Sequence, residues 1–367
     1  MAQAVRVVVA MSGGVDSSVA AALLKEKGYD VIGVTMQIWP RLAPEEEVRR
    51  GGCCSLAAVE DARKVADRIG IPYYVMNFGG VFKERVIDYF IEEYARGKTP
   101  NPCIACNFYV KWGALLRKAL GLGAKYVATG HYARIDYDPS LGRYLLYRGL
   151  DPEKDQSYAL YGLTQDQLAH TLFPLGPYTK KEVRARAGKL GLVVAEKPES
   201  QEICFVTGDD YHSFLREFIP DKIEPGPILN TSGEVVGRHR GIPFYTIGQR
   251  RGLGLSMGEP VYVVDIKADE NVIVVGTKEE VYSRGLYAAE VNFIPFERLN
   301  GEKRVQAQIR YRAPAVPARI VPAGGENGEE LVKVLFDEPQ RAVTPGQSVV
   351  FYEGDLVLGG GIIRERL

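Results

Sequence analysis

The stretch Val5–Ser18, VRVVVAMSGGVDSS, limits what this chain can fold into more than any other. An apolar and β-branched run interrupted only by Arg6 predicts a buried parallel strand. It ends in Ser12-Gly13-Gly14-Val15-Asp16-Ser17-Ser18, which opens an amphipathic helix. Strand, glycine turn and helix in this order make a phosphate-binding plan. Gly13 and Gly14 let the backbone approach a ligand, Ser12, Ser17 and Ser18 offer hydroxyls, and the helix start adds N–H groups and positive dipole. The expected anion is a pyrophosphate.

There is no Gly-Lys-Ser/Thr, so this is not a Walker loop, and the adjacent glycines exclude the dinucleotide spacing. The pattern SGGxDSS resembles the PP-loop of ATP pyrophosphatases, which adenylate a substrate oxygen and release pyrophosphate. The resemblance implies a magnesium ion at the phosphates, with Asp16 helping to hold it.

After the first helix, Asp30–Trp39 predicts a second strand, Ser55 caps a helix closed by Gly70, and PYYVMNF predicts a third strand. A helix over 82–96, the loop GKTPNPCIACN, a helix over 115–120 and the strand YVATG complete an alternating pattern that predicts a doubly wound parallel sheet. Ligands bind beyond the C-terminal strand ends of such sheets. Met36, the cysteine loop and Gly130-His131 are therefore expected to face the phosphate loop. ARIDYD and RYLLYRG predict a hairpin, and helical segments follow to Gly191. Composition shifts after about residue 206; from Pro225, Gly, Pro and short β-like runs predict a small β-rich central domain, and alternating runs from about Ser283 predict a final β-barrel. The expected domains are 1–206, 207–282 and 283–367.

At 367 residues, with 46 basic and 46 acidic side chains, the chain has no global charge that points to nucleic acid, so an RNA site must come from local patches. RHRGIPFYTIGQRRGLG interleaves arginines with Phe244 and Tyr245, and IRYR adds Arg310 and Arg312. Arginines suit phosphates and aromatics suit unpaired bases. No apolar stretch is long enough for a membrane helix and no leader pattern is evident, so a cytoplasmic protein with no membrane partner is expected. Five cysteines in such a chain suggest thiol chemistry or metal ligation rather than disulfide staples. Cys103 and Cys106 share a C-x-x-C spacing ahead of Lys111, where a helix start and a cation would acidify a thiol. Cys204, in ESQEICF, reads by itself as a core cysteine, and Cys53-Cys54 as structural.

Together SGGVDSS, NPCIACN, TGHYAR, KDQSYAL, ESQEICF, GQRRGLG and QIRYR resemble, in order and nearly end to end, the tRNA-specific 2-thiouridylases, which place sulfur on C2 of the wobble uridine. The resemblance implies an ATP site of Ala10, Met11, Ser12, Gly13, Gly14, Val15, Asp16 and Ser17 with Met36 and Gly130. It makes Cys106 the nucleophile and Cys204 the persulfide carrier. It carries tRNA contacts to Asn101, Pro102 and Cys103 at the target base, to His131, to Lys154, Asp155 and Gln156, to Arg310 and Tyr311, and to Gln347. Many members have aspartate where this chain has Cys103, and a thiol with an unperturbed pKa of about 8.5 is no substitute for a carboxylate near 4. Residues alone leave the relay and a cluster both open; the three-cysteine resemblance implies the second arrangement, in which Cys103, Cys106 and Cys204 hold a [4Fe-4S] cluster, and the expectation inclines to it. ATP and Mg2+ are the implied cofactors; tRNA and a persulfide or sulfide donor protein are the implied partners of a chain expected to be a monomer. The competing enzymatic reading is a PP-loop ligase that adenylates a small carboxylate for amide formation.

Overall fold

The computed structural model describes residues 4–38, 55–198, 203–206, 211–325 and 328–367. Trp39 and the Cys53-Cys54 pair lie outside them. The chain divides into two compact units, one of 1–86, 103–209 and 355–357, the other of 87–102, 210–354 and 358–367.

The first unit is built on a parallel sheet. Its strands β1 (Arg6–Ala10), β2 (Asp30–Gln37), β3 (Tyr73–Asn77), β4 (Tyr126–Ala128) and, numbered seventh along the chain, β7 (Thr171–Leu172) lie in the order β3-β2-β1-β4-β7, every pairing parallel. Val7, Val8 and Val9 of central β1 are fully buried, because helices cover both faces of a parallel sheet. Helix α1 (Val15–Glu26) presents Val19, Ala20, Leu23 and Leu24 to that core. Helix α2 (Leu56–Ile69) starts where Ser55 accepts the Ala58 N–H and stops at Gly70, which is left-handed (φ 67°); both punctuation marks match the expectation. Strand β3 is an edge strand, with Tyr74 and Val75 exposed.

The expected hairpin is formed by β5 (Ala133–Asp138) and β6 (Arg143–Arg148), in register from Ala133↔Arg148 to Asp138↔Arg143. The run carrying the cysteines differs from a plain helix. A turn of α-helix over Pro102–Ala105 continues as a π-helical segment, Cys106–Leu115, and returns to α-helix in α3 (Leu116–Gly121). Beyond β6 come α4 (Gln165–Ala169) and α5 (Lys180–Lys189), each opened by a capping box.

In the second unit the region after residue 210 opens with helix α6 (Tyr211–Phe218), ahead of the β-like runs expected from Pro225. Tyr211, Phe214, Leu215 and Phe218 recur at helical spacing, and Phe214 meets the Phe90 ring edge-on at 6.2 Å between centroids. A four-stranded sheet follows, from β8 (Gly226–Asn230), β9 (Val235–His239), β10 (Tyr262–Lys267) and β11 (Val272–Gly276), in the order β10-β11-β8-β9. Six strands then close a barrel: β12 (Tyr282–Phe293), β13 (Lys303–Gln308), β14 (Val316–Gly324), β15 (Glu330–Arg341), β16 (Ser348–Glu353) and β17 (Leu356–Arg366). Closure comes from β12, which pairs with both β15 and β17 and so removes the open edges. The parallel sheet, the small β-rich part and the closed barrel are the architecture expected from the sequence. No helix among the described residues is long and apolar enough to cross a membrane.

Candidate functional site

The loop between β1 and α1 requires glycine at one point within it and at one point packed against it. Gly13 sits at φ 67°, and a Cβ there would lie 2.2 Å from the Ala58 carbonyl oxygen at the start of α2. Gly130, just past β4, packs on the first turn of α1, where a Cβ would lie 2.7 Å from Asp16 C and Ser17 N. The serines chiefly stitch the loop. Ser17 Oγ accepts the Ser12 N–H at 3.1 Å, and Ser18 Oγ donates to the Gly14 carbonyl at 2.8 Å. Ser18 is fully buried, so its hydroxyl serves the fold and does not face a ligand as expected. The side chains of Ala10, Met11 and Val15 are core, which leaves their backbone to serve an anion; Gly14 caps α1 without a side-chain bond. Met36 stands next to the last residue of β2.

Three side chains that the motifs did not single out gather at this loop. Asp16 accepts from Lys180 Nζ at 2.8 and 2.7 Å and from the Tyr132 hydroxyl at 2.8 Å. Lys197 Nζ donates to the Gly13 carbonyl at 3.0 Å and to Asp61 at 2.6 Å. The Thr179–Glu182 capping box is visible in the sequence, but the partnership of Lys180 with a residue 164 positions earlier is not.

His131 links this loop to the helix that carries the cysteines. Its Nδ1 lies 2.6 Å from Thr129 Oγ1, its Nε2 lies 3.4 Å from Lys111 Nζ, and Lys111 also donates to Asn107 at 2.9 Å. Trp112 and Phe173 flank the ring. Removal from water, and secondarily the Lys111 charge, hold the His131 pKa well below the usual imidazole value, so the ring is neutral. Of the groups expected around the phosphate loop, Gly130 packs on its helix start, and the next residue, His131, meets the helix that carries the cysteines through Lys111.

Cys103 is exposed, while Cys106 and Cys204 are half-buried. Phe205, next to Cys204, meets Phe82 edge-on at 5.7 Å, and the turn Gly79–Phe82 packs on the π-helical segment that starts at Cys106. Among the described residues no three His, Cys, Asp or Glu side chains are grouped to hold a metal, so the three cysteines are not assembled here as ligands of one cluster. Asp155 is a buried organiser of its loop. It accepts from Arg148 (2.9 Å), Gly149 N–H (3.0 Å), Ser157 N–H (3.1 Å) and Ser157 Oγ (2.9 Å). Gln156 is bonded to Tyr132, and Lys154 N–H to the Asp151 carbonyl.

In the second unit, Gln347 Nε2 donates to the Thr99 carbonyl at 2.8 Å and the Thr99 N–H donates to Pro345, two residues ahead of Asn101-Pro102. Arg310 donates to the Arg341 carbonyl, and Tyr311 is exposed. Arg238, Arg240, Arg250 and Arg251 are all exposed. Phe244 and Tyr245, expected to stack on bases, are instead core residues 3% exposed each: the Ile242–Phe244 turn folds them inward beneath the arginines.

A family model described as the tRNA methyl transferase HUP domain matches residues 5–208, with the tRNA methyl transferase PRC-barrel domain over 212–277 and an aminomethyltransferase β-barrel domain over 283–363. The chain is 58% identical over 368 residues to the tRNA-specific 2-thiouridylase MnmA of Carboxydothermus hydrogenoformans, covering 99% of this chain and 98% of that one. Similar relatives are MnmA 2 of Caldanaerobacter subterraneus subsp. tengcongensis (61% over 363 residues; 99% and 98% covered) and MnmA of Acetivibrio thermocellus (56% over 359 residues; 98% and 99% covered).

Proposed function

Because the chain belongs to the tRNA-specific 2-thiouridylase family, we propose that it performs ATP-dependent 2-thiolation of the wobble uridine of tRNA. The observation that carries this reading is the meeting of two chemistries in one unit. Gly130 packs on the phosphate loop, and the adjacent His131 reaches Lys111 on the helix that begins with the cysteines. The methyl-transfer wording of the domain descriptions weighs less than 56–61% identity to thiouridylases along nearly the whole chain.

The uridine C2 carbonyl is a poor electrophile. Adenylation forms a bond from its oxygen to the ATP α-phosphorus and breaks the bond to pyrophosphate; sulfur then adds at C2 and AMP leaves with the oxygen. The loop amides and the dipole of α1 favour the departing anion. The Asp16 carboxylate, held at the loop by Lys180 and Tyr132, would be the group to hold a magnesium ion, which would supply charge stabilisation at the phosphates. The ATP site is proposed as Ala10–Ser17 with Met36 and Gly130.

In the proposed relay, the outer sulfur of a Cys204 persulfide, loaded by a donor protein, attacks C2. The Cys106 thiolate then takes Cys204 Sγ to form a disulfide, leaving the transferred sulfur on the base, and a thiol reductant restores both cysteines. The cluster expected from the resemblance needs Cys103, Cys106 and Cys204 gathered on one group, and the arrangement of the described residues does not fit it. Asn101, Pro102, Cys103 and His131 are proposed to meet the base, and Lys154, Gln156, Arg310 and Tyr311 the rest of the tRNA. Asp155 and Gln347 are proposed to act by shaping the loops that do so. Domains at 1–206, 207–282 and 283–367, a cytoplasmic setting and a monomer complete the proposal.

The test is ATP-dependent sulfur incorporation into unmodified tRNA, comparing iron-free protein given a persulfide donor with anaerobically reconstituted protein. Activity of the iron-free form is expected. Activity only after reconstitution would replace the relay by the cluster, and pyrophosphate release triggered by a small acid without RNA would replace thiolation by ligation.

A further inference from the structure

The phosphate loop SGGVDSS has no lysine of its own, yet the reaction proposed above must expel a pyrophosphate. It does contain a carboxylate, Asp16, whose charge would oppose any phosphate in the turn. Lys180 answers both points. Its Nζ lies 2.8 and 2.7 Å from the two Asp16 oxygens, the residue is 8% exposed, and the Tyr132 hydroxyl completes the cluster. Its station is fixed by backbone as well as side chain. It is the first residue of α5, between the Thr179 cap and Glu182, and its own N–H donates to Asp151 at 2.8 Å. A largely buried ion pair is a weak stabiliser, because desolvation offsets most of the attraction. Charge placed beside an anion loop has a clearer use in binding. Lys197 differs: it bonds a loop carbonyl and so acts on loop shape.

We propose that Lys180 is a pyrophosphate-binding residue of the adenylation step, held by Asp16 and passing to the β- and γ-phosphates when nucleotide and magnesium engage the loop. The inference rests on the thiolation reading. As the bond between the α-phosphorus and its bridging oxygen breaks, the electron pair stays on the pyrophosphate, and Lys180, which keeps its proton, donates hydrogen bonds to that growing charge. The ammonium then favours the transition state more than bound ATP, so its loss lowers kcat more than it raises KM.

The experiment measures tRNA-dependent pyrophosphate release by the full chain, with product inhibition by pyrophosphate and by AMP, for wild type, Lys180→Met and Lys180→Arg. For Lys180→Met we expect kcat to fall roughly 100- to 1,000-fold. Its pyrophosphate inhibition constant should rise about tenfold or more, while the constant for AMP moves little, and Lys180→Arg should recover part of both. An unchanged kcat, or equal weakening of pyrophosphate and AMP, overturns the proposal alone. A wild type that releases no pyrophosphate with tRNA overturns the thiolation reading and this inference with it. Should Lys180→Met not fold, the native protein carries the test. After reductive 13C-methylation, the Lys180 resonance, identified by its absence from Lys180→Arg, is expected to shift with magnesium pyrophosphate and not with AMP; no shift overturns the proposal.

Discussion

At the scale of single residues, the cysteines and His131 make separable claims. Cys106 and Cys204 are the two thiols a relay cannot lose, so Cys106→Ser and Cys204→Ser are each expected to abolish thiolation while leaving ATP binding intact, read by sulfur incorporation and nucleotide titration. Cys103→Ser is expected to keep at least a tenth of the wild-type rate, since a relay gives its exposed thiol no covalent step. His131 makes a claim about pH. Its pKa is pushed below the unfolded value near 6.5 by burial and then by Lys111, the cation that faces it. Below that pH the unfolded chain binds a proton the folded site refuses, so the term is harmless above about 6.5 and destabilises as pH falls through it. His239, also depressed by burial, adds a term of the same sign. Thermal unfolding from pH 7.5 to 5.5 should therefore fall less steeply in His131→Gln than in wild type; parallel curves would refute a depressed imidazole pKa.

At the scale of elements, what could be read from the sequence was what neighbours along the chain determine. Helix α2 carries its cap at Ser55, its stop at Gly70 and its apolar stripe in one short run, and the hairpin β5–β6 carries its alternation and its turn. β7 was not legible, because two residues have no period; its hydrogen bonds exist only because β4 offers an edge. The π-helical segment at Cys106–Leu115 was hidden for a related reason: its apolar residues suit either winding, so their spacing does not announce the wider one. The site divides in the same way. The glycine loop is local and was legible, whereas Lys180, Lys197 and Tyr132 reach it through the fold. Gly130 joins the two kinds, since its motif was visible and its reason was not. Gly130→Ala would set a methyl 2.7 Å from the Asp16 and Ser17 backbone. That overpacking is expected to cost about 1–3 kcal/mol of stability and to raise the KM for ATP. A variant with wild-type unfolding and kinetics would mean that the first turn of α1 does not rest on Gly130.

At the scale of the whole molecule, equal numbers of acidic and basic residues give no long-range field to gather an RNA, so attraction has to be local. The exposed arginines at 238, 240, 250 and 251 can supply it, and the inward placement of Phe244 and Tyr245 determines what kind of binding it is. With the rings in the core, the role proposed for this stretch is to meet phosphates without stacking on bases, which would add affinity and orientation but little sequence discrimination. A buried aromatic pair under a charged surface also predicts how substitutions separate. Phe244→Ala is expected to lower stability by about 3–5 kcal/mol, the cost of emptying a core ring site, and to weaken tRNA binding only as far as it unfolds the protein. Arg250→Ala with Arg251→Ala should leave unfolding and ATP binding unchanged. It should weaken tRNA binding in a salt-dependent way, reducing the slope of log affinity against log salt by roughly one for each phosphate that no longer meets an arginine. Filter binding of unmodified tRNA at several salt concentrations measures that slope. An unchanged slope would move RNA recognition away from this stretch, toward Arg310, Tyr311 and the loop at Asn101.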